Sequence, residues 1–234
     1  MTNNTDFDSL LETEQGLLAG IAESDQYIEE CINKKEPIQK VLRLLVMRSL
    51  TMGGFNSRRF EFFRNEIVQQ YGYKYLFVLE NLLQLRLFTT ESTYNFKLLR
   101  KKLNLITENM DIQNPKDYAY VYGGYAPVSV RLIHEALRND GFPAESENPL
   151  YNLFQTQKDA PTVKFEQEGA RKSVGGRRVV LVFFIGGVTF AEISALRWLS
   201  QQYENISFIV ATTQMINGNS LLNSLIFDSC LFFL

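Results

Sequence analysis

Residues 178–203 read RVVLVFFIGGVTFAEISALRWLSQQY, and the pattern within them decides the fold. Val179 to Ile185 is an unbroken apolar run without alternation, the signature of a strand covered on both faces. Gly186-Gly187 interrupts it. Thr189 then stands as a helix N-cap and Glu192 as its N3 partner in a capping box, while Val188 and Ile193 are spaced for a hydrophobic staple. The helix runs to about residue 202, Asn205 turns the chain, and a second apolar run covers Ile206 to Thr212. Strand, glycine turn, helix and strand make a right-handed βαβ unit of a parallel sheet.

Working outward, the preceding hundred residues are helical in pattern. Ser9 to Asn33 places Leu10, Leu17, Ile21, Ile28 and Ile32 on one side and acids on the other. Pro37 fits the first position of a second helix with a wide apolar stripe, and Gly53-Gly54 ends it. Ser57 can cap a third helix that reaches Gly72, and Tyr73 to Leu87 forms a fourth, very apolar one. The polar turn 89–93 that follows is compatible with the wing of a winged-helix-like lobe and equally with a plain loop in a bundle.

Asn114-Pro115 marks a boundary, so the chain divides into a helical lobe, 1–108, and part of an α/β domain, 109–234. Tyr118 to Tyr122 (YAYVY) reads as a short strand, Val128 to Asn139 as a helix, and Asn219 to about Ile226 as a last helix. From 140 to 178 the chain is polar and Pro-punctuated without period, a long mobile loop inside one domain.

Charge is unevenly placed. Residues 1–33 carry eight acidic and no basic side chains, whereas 34–105 carry fourteen basic and five acidic ones, giving the only basic field in the chain. Within it Lys97, Arg100, Lys101 and Lys102 interleave with Tyr94, Phe96, Leu98 and Leu99. Three readings fit this segment: partner docking, core packing, and, against an overall pI near 5.6, nucleic-acid binding. Two cysteines, Cys31 and Cys230, make neither a disulfide scaffold nor a zinc knuckle. The acidic opening is no secretory signal and no apolar run reaches membrane-spanning length, so a reduced, cytoplasmic setting is expected.

The catalytic inventory is empty. His134 is the only histidine and has no second ligand for a metal, so it reads as a structural residue. Ser129, Thr189 and Ser194 sit in no nucleophile elbow. The Gly186-Gly187 turn at a helix start can attract an anion. It lacks the Lys-Ser/Thr of a P-loop and the spacing of a dinucleotide fingerprint. A Rossmann-like nucleotide-binding enzyme built on this turn is thus the alternative to a chain with no catalysis and no cofactor.

The phrases FFIGGVTFAEISALRWLSQ and YVYGGYAPVSVRL closely resemble the C-terminal part of the SM (Sec/Munc) family of SNARE-regulating proteins. The likeness is strongest to its vacuolar-sorting branch, nearer the A form than the B form, and runs from about Leu10 to Leu225. It departs at the apolar end, FDSCLFFL, to which no function is given. The resemblance implies a C-terminal fragment with a partial SM fold, whose parallel sheet is incomplete. It implies a non-enzymatic subunit of the HOPS tether of endosomes and lysosomes, and of the related CORVET tether, peripheral on late endosome, lysosome or vacuole membranes. The implied partner is a vacuolar protein sorting-associated protein 16-type helical subunit, docked on the helical lobe with the adjoining α/β domain. Phe96 and Leu99 match the family's apolar contacts there, with Tyr94, Lys97 and Arg100 around them. SNARE binding, also implied, belongs largely to parts of the family's chain that are absent here.

Overall fold

The computed structural model describes residues 4–20, 24–90, 96–107, 111, 113–138, 173–174 and 177–227. Its contacts divide the chain into two units, Met1–Arg100 with Ile216–Leu234, and Lys101–Met215.

The first unit is a helical bundle: α1 (Asn4–Ala19), α2 (Ser24–Asn33), α3 (Ile38–Met52), α4 (Ser57–Tyr71), α5 (Lys74–Gln84) and the start of α6 (Phe96–Lys102). The single helix expected over 9–33 is two. Gly20 takes a left-handed φ of 79°, which ends α1 before α2 begins at Ser24. The apolar stripe survives the break, with Leu17, Ile28 and Ile32 all buried. Against them pack Val41, Leu42, Leu44 and Leu45 of α3, Phe63 and Ile67 of α4, and Val78, Leu79 and Leu82 of α5.

Punctuation follows local chemistry. Gly53 closes α3 in the left-handed conformation, its N–H bonded to the Ser49 carbonyl. Pro37 stands one position earlier than expected, as the N-cap. The cap of α4 is Asn56, not Ser57: the Asn56 side chain accepts from the Arg59 N–H at 2.8 Å. After α5, Phe88 turns back into the core, stacked on Phe60 at 4.4 Å and edge-on to Phe55 at 5.2 Å. Asp25 and Glu29 of the acidic segment pair with Arg48 and Arg59 of the basic one, so part of the charge asymmetry is spent inside the bundle. Of the wing expected at 89–93, residues 91–93 lie outside the described ones.

The last helix, α9 (Gly218–Phe227), belongs here and not to the α/β half as the sequence suggested. Its Leu222 is buried in the bundle core. The boundary expected near 108 also moves, to the middle of α6.

The second unit holds α7 (Val128–Arg138), β1 (Ser173–Val174), β2 (Arg177–Phe184), α8 (Phe190–Gln202) and β3 (Ile206–Thr212). β2 and β3 are parallel, in register from Arg178↔Ile206 to Phe184↔Thr212, and α8 makes the crossover. β1 pairs antiparallel with the first two residues of β2. Strand structure at 173–174 and 177–178 corrects the end of the loop expected over 140–178. Most of that loop lies outside the described residues.

YAYVY is a 3-10 helix, not a strand. Asp117 caps it by accepting from the Ala119 N–H at 2.7 Å, and Gly123 closes it in the left-handed conformation. Such local side-chain capping competes with extended structure. The core of this unit joins Tyr118, Ala119, Ala126 and Val130 to Ala195, Leu196 and Leu199 of α8. Val182, Phe184, Phe208 and Val210 lay one face of the sheet on it. On the opposite face Leu181, Phe183, Ile185 and Ile209 are exposed, so among the described residues the strand expected to be covered on both sides is covered on one.

Candidate docking helix and glycine turn

Helix α6 is unlike the others described: it contains no buried residue. Lys97, Leu98, Lys101 and Lys102 are exposed, while Phe96, Leu99 and Arg100 are half-buried. Only beyond the helix does the chain enter a core, at Leu103 and Leu105. The four leucines of the segment therefore split, Leu98 and Leu99 staying out of the interior. Arg100 has a structural duty: its guanidinium donates to the Leu18 carbonyl at 3.0 Å, tying α6 to the end of α1. Tyr94 lies outside the described residues. Phe96, Lys97, Leu98 and Leu99 are thus brought together on a short helix whose apolar side chains contribute to no core cluster. Periodicity could not separate docking from packing here, because four apolar and four basic residues mix within eight positions.

The glycine turn has the opposite character, since its hydrogen-bonding capacity is used internally. Gly186 and Gly187 have φ of 100° and 134°, where a Cβ is strained. The Gly186 N–H donates to Thr213 Oγ1 at 3.1 Å, and the Val188 N–H to the Gln214 carbonyl at 3.1 Å. At the start of α8 the capping box is complete. Thr189 Oγ1 accepts from the Glu192 N–H at 3.2 Å, and the Glu192 carboxylate accepts from the Thr189 N–H at 2.8 Å. Ser129 of α7 donates to the same carboxylate. An anion arriving here meets the Gly186, Val188, Thr189 and Glu192 N–H groups already engaged and the negative Glu192 carboxylate at the helix start. The turn does not offer a phosphate cradle.

His134 sits half-buried between two phenols. Its Nδ1 lies 3.3 Å from Tyr118 Oη and its Nε2 2.9 Å from Tyr203 Oη. Arg131, which can only donate, gives a hydrogen bond to Tyr118 Oη at 3.1 Å and pairs with Asp117 at 2.9 Å. The Tyr118 hydroxyl proton can then go to Nδ1, and the neutral tautomer with Nε2–H donating to Tyr203 satisfies every group in the chain. Burial lowers the His134 pKa, with Arg131 and Arg138 pushing the same way against Glu135 and Asp117. Burial also raises the Tyr118 hydroxyl to about 12. The bonds of His134 tie α7 to the 3-10 helix through Tyr118 and to the end of α8 through Tyr203. Nothing in the sequence pointed to its partners, because Tyr118 and Tyr203 are distant in the chain.

Among the described residues no group of three or more His, Cys, Asp or Glu is placed to hold a metal, and no helix is long and apolar enough to cross a membrane.

The Sec1 family model matches residues 1–224. Vacuolar protein sorting-associated protein 33A of Rattus norvegicus is 39% identical over 96% of this chain and 38% of its own length. The vacuolar protein-sorting-associated protein 33 homolog of Arabidopsis thaliana is 40% identical over 95% of the chain and 40% of its own. Vacuolar protein sorting-associated protein 33B of Danio rerio is 33% identical over 94%. The chain therefore spans about two fifths of the length of these curated relatives. Among solved structures, the crystal structure of the Unc18-syntaxin 1 complex from Monosiga brevicollis matches with a TM-score of 0.56 and 15% identity, over 95% of this chain and 36% of the other. At that identity the match speaks for the fold.

Proposed function

Because this chain belongs to the Sec1 family, we propose that it acts without catalysis, as an interaction piece of the machinery that regulates SNARE-driven vesicle fusion in vacuolar protein sorting. Within that role α6 is the docking element for a vacuolar protein sorting-associated protein 16-type helical subunit of the HOPS tether, and of CORVET where the two share it. The protein reaches late endosome, lysosome or vacuole membranes through that complex. SNARE contact rests on the longer polypeptide of the relatives and is weak or absent in this chain. The relatives named for vacuolar protein sorting support the setting, and the solved complex of a neighbour with a syntaxin supports the SNARE side.

The observation that carries the reading is the lack of any buried residue on a helix that holds Phe96, Leu98 and Leu99. A half-exposed apolar cluster ringed by lysines has the make-up of an interface anchor with a polar rim. The test is Leu99→Asp, measured twice. A pull-down with the helical subunit should lose the complex, because a charge forced into a dry pocket costs several kcal/mol. The thermal melt of the free variant should stay within a few degrees of the parent, since Leu99 belongs to no core cluster. A collapsed melt would return Leu99 to the core reading. Lys97→Asp should slow association and flatten its salt dependence, changing both more than it changes dissociation. Arg100→Asp is a poorer probe, because it also cuts the bond to Leu18.

A further inference from the structure

Arg100 differs from its neighbours on α6 in what its side chain reaches. Its Nη1 donates to the Leu18 carbonyl at 3.0 Å, across 82 residues of sequence. Leu18 lies in the last turn of α1, where a helix leaves its final four carbonyls without intrahelical partners. That turn holds no basic side chain of its own, so the negative end of the α1 dipole draws its cation from α6. Gly20 makes the approach close. It follows α1 with a φ of +79°, and a Cβ there would lie 3.4 Å from Arg100 Nη1 and 3.9 Å from Nη2. Both terminal nitrogens of the planar guanidinium thus rest against the backbone that ends α1.

We propose that Arg100 is the positioning residue of α6: by capping α1 it fixes the way Phe96 and Leu99 face, a role that rests on the docking reading above. Arg100 thereby moves from the polar rim of that surface to its support. The helix needs one. It spans seven residues and buries none of them, so no core side chain within it sets its rotation. Two turns are also far too few to hold their shape alone in water. Phe96, Leu99 and Arg100 are its half-buried members, and their spacing of i, i+3 and i+4 puts them on one face. A bond that fixes Arg100 therefore fixes the rotation of the two apolar anchors beside it. The bond has a charged donor, which makes it one of the stronger kind. Its loss should lower the population of the ordered helix about tenfold, and affinity for a partner falls by the same factor as the competent fraction.

Hydrogen–deuterium exchange on the free chain, with affinity measurements against the helical subunit, tests this on Arg100→Met, Arg100→Lys and Leu99→Asp. In Arg100→Met the amides of residues 100–102, those that the helix ladder protects, should exchange about tenfold faster with no partner present. Amides of α3 and α5 should keep their parent rates. Affinity for the helical subunit should fall by about the same tenfold. Arg100→Lys, which keeps a cation and a donor for Leu18, should recover most of both losses. Unchanged exchange at 100–102 in Arg100→Met overturns the proposal and returns Arg100 to the rim. Faster exchange throughout the bundle overturns it as well, since Arg100 would then be a prop of the whole fold. Faster exchange at α6 with unaltered affinity also overturns it, and Leu99→Asp then separates two cases. If Leu99→Asp loses the complex, docking on α6 stands and only the positioning role falls. If Leu99→Asp binds like the parent, the docking reading falls and takes this role with it.

Discussion

Replacing Glu192 by alanine tests whether the start of α8 holds the second unit together. Its carboxylate accepts from the Thr189 N–H, the Thr189 hydroxyl and the Ser129 hydroxyl, thereby joining α8 to α7. Loss of a helix cap costs about 0.5–2 kcal/mol. Loss of an acid at the helix N-terminus adds about 0.3–1 kcal/mol. The Ser129 bond to a charged acceptor is worth about 1.5 kcal/mol, discounted because water replaces part of it at a half-buried site. Alanine returns a few tenths through its higher helix propensity. The net is about 2 kcal/mol, a roughly 30-fold shift in the unfolding equilibrium. With a urea slope of about 1–2 kcal/mol/M, the midpoint falls by about 1–2 M.

Trp198 makes the assay selective. It is the only tryptophan, and it packs against Tyr118 and Tyr120 within the second unit. Its fluorescence in urea therefore follows that unit alone. Glu192→Gln keeps both caps and should lose less than half as much. Ser129→Ala should cost about 1 kcal/mol in the parent and nothing further in Glu192→Ala, since both remove one contact. An unchanged Trp198 midpoint in Glu192→Ala would refute the reasoning and reduce the capping box to decoration.

Other outcomes follow from the same geometry. His134 has a lowered pKa in the fold, so the unfolded chain takes up the proton first as pH falls. Stability of the second unit should hold above the unfolded value near 6.5 and decline below it. His134→Phe should flatten the Trp198 melting temperature between pH 7 and 5.5, and an equally steep decline in that variant would assign the effect to carboxylates. Gly54→Ala should destabilise the bundle by more than about 2 kcal/mol, because φ is +88° and the new Cβ meets the Thr89 carbonyl oxygen at 2.9 Å. Gly186→Ala, with a similar φ of +100° but open space around it, should cost about 1 kcal/mol in a urea titration. Equal losses at the two positions would show that the clash at Gly54 relaxes away.

What the sequence revealed and what it hid divide by range. The βαβ unit was legible because its signals are local: an apolar run, two glycines, and Thr189 three residues before Glu192. The second strand and the end of α8 stand where the pattern placed them. The 3-10 helix at 118–122 was missed because its aromatic residues look like a strand, while the decisive groups, Asp117 and Gly123, flank it and act through capping. The exposed sheet face could not be read at all. An apolar run announces that both faces want cover, yet whether cover is present depends on chain elsewhere. The placement of α9 was hidden for the same reason, since Leu222 finds its partners more than a hundred residues upstream. The proposed docking residues were reached only by resemblance, because residue type alone leaves Leu99 as suited to a core as to a surface.

That placement of α9 bears on how the polypeptide matures during synthesis. Helices α1 to α5 leave the ribosome well before α9, so the surface that receives Leu222 and the contact of Gly218 with Arg43 stay vacant until the whole second unit has been made. At ordinary elongation rates that interval is on the order of ten seconds. Through it the nascent bundle carries an unfilled apolar seat beside α3 and α5. Chaperone occupancy during translation should therefore peak after α5 emerges and fall only when the last helix arrives. The bundle core is complete only once α9 is made, and a ribosome that stalls short of residue 216 releases a bundle that cannot close.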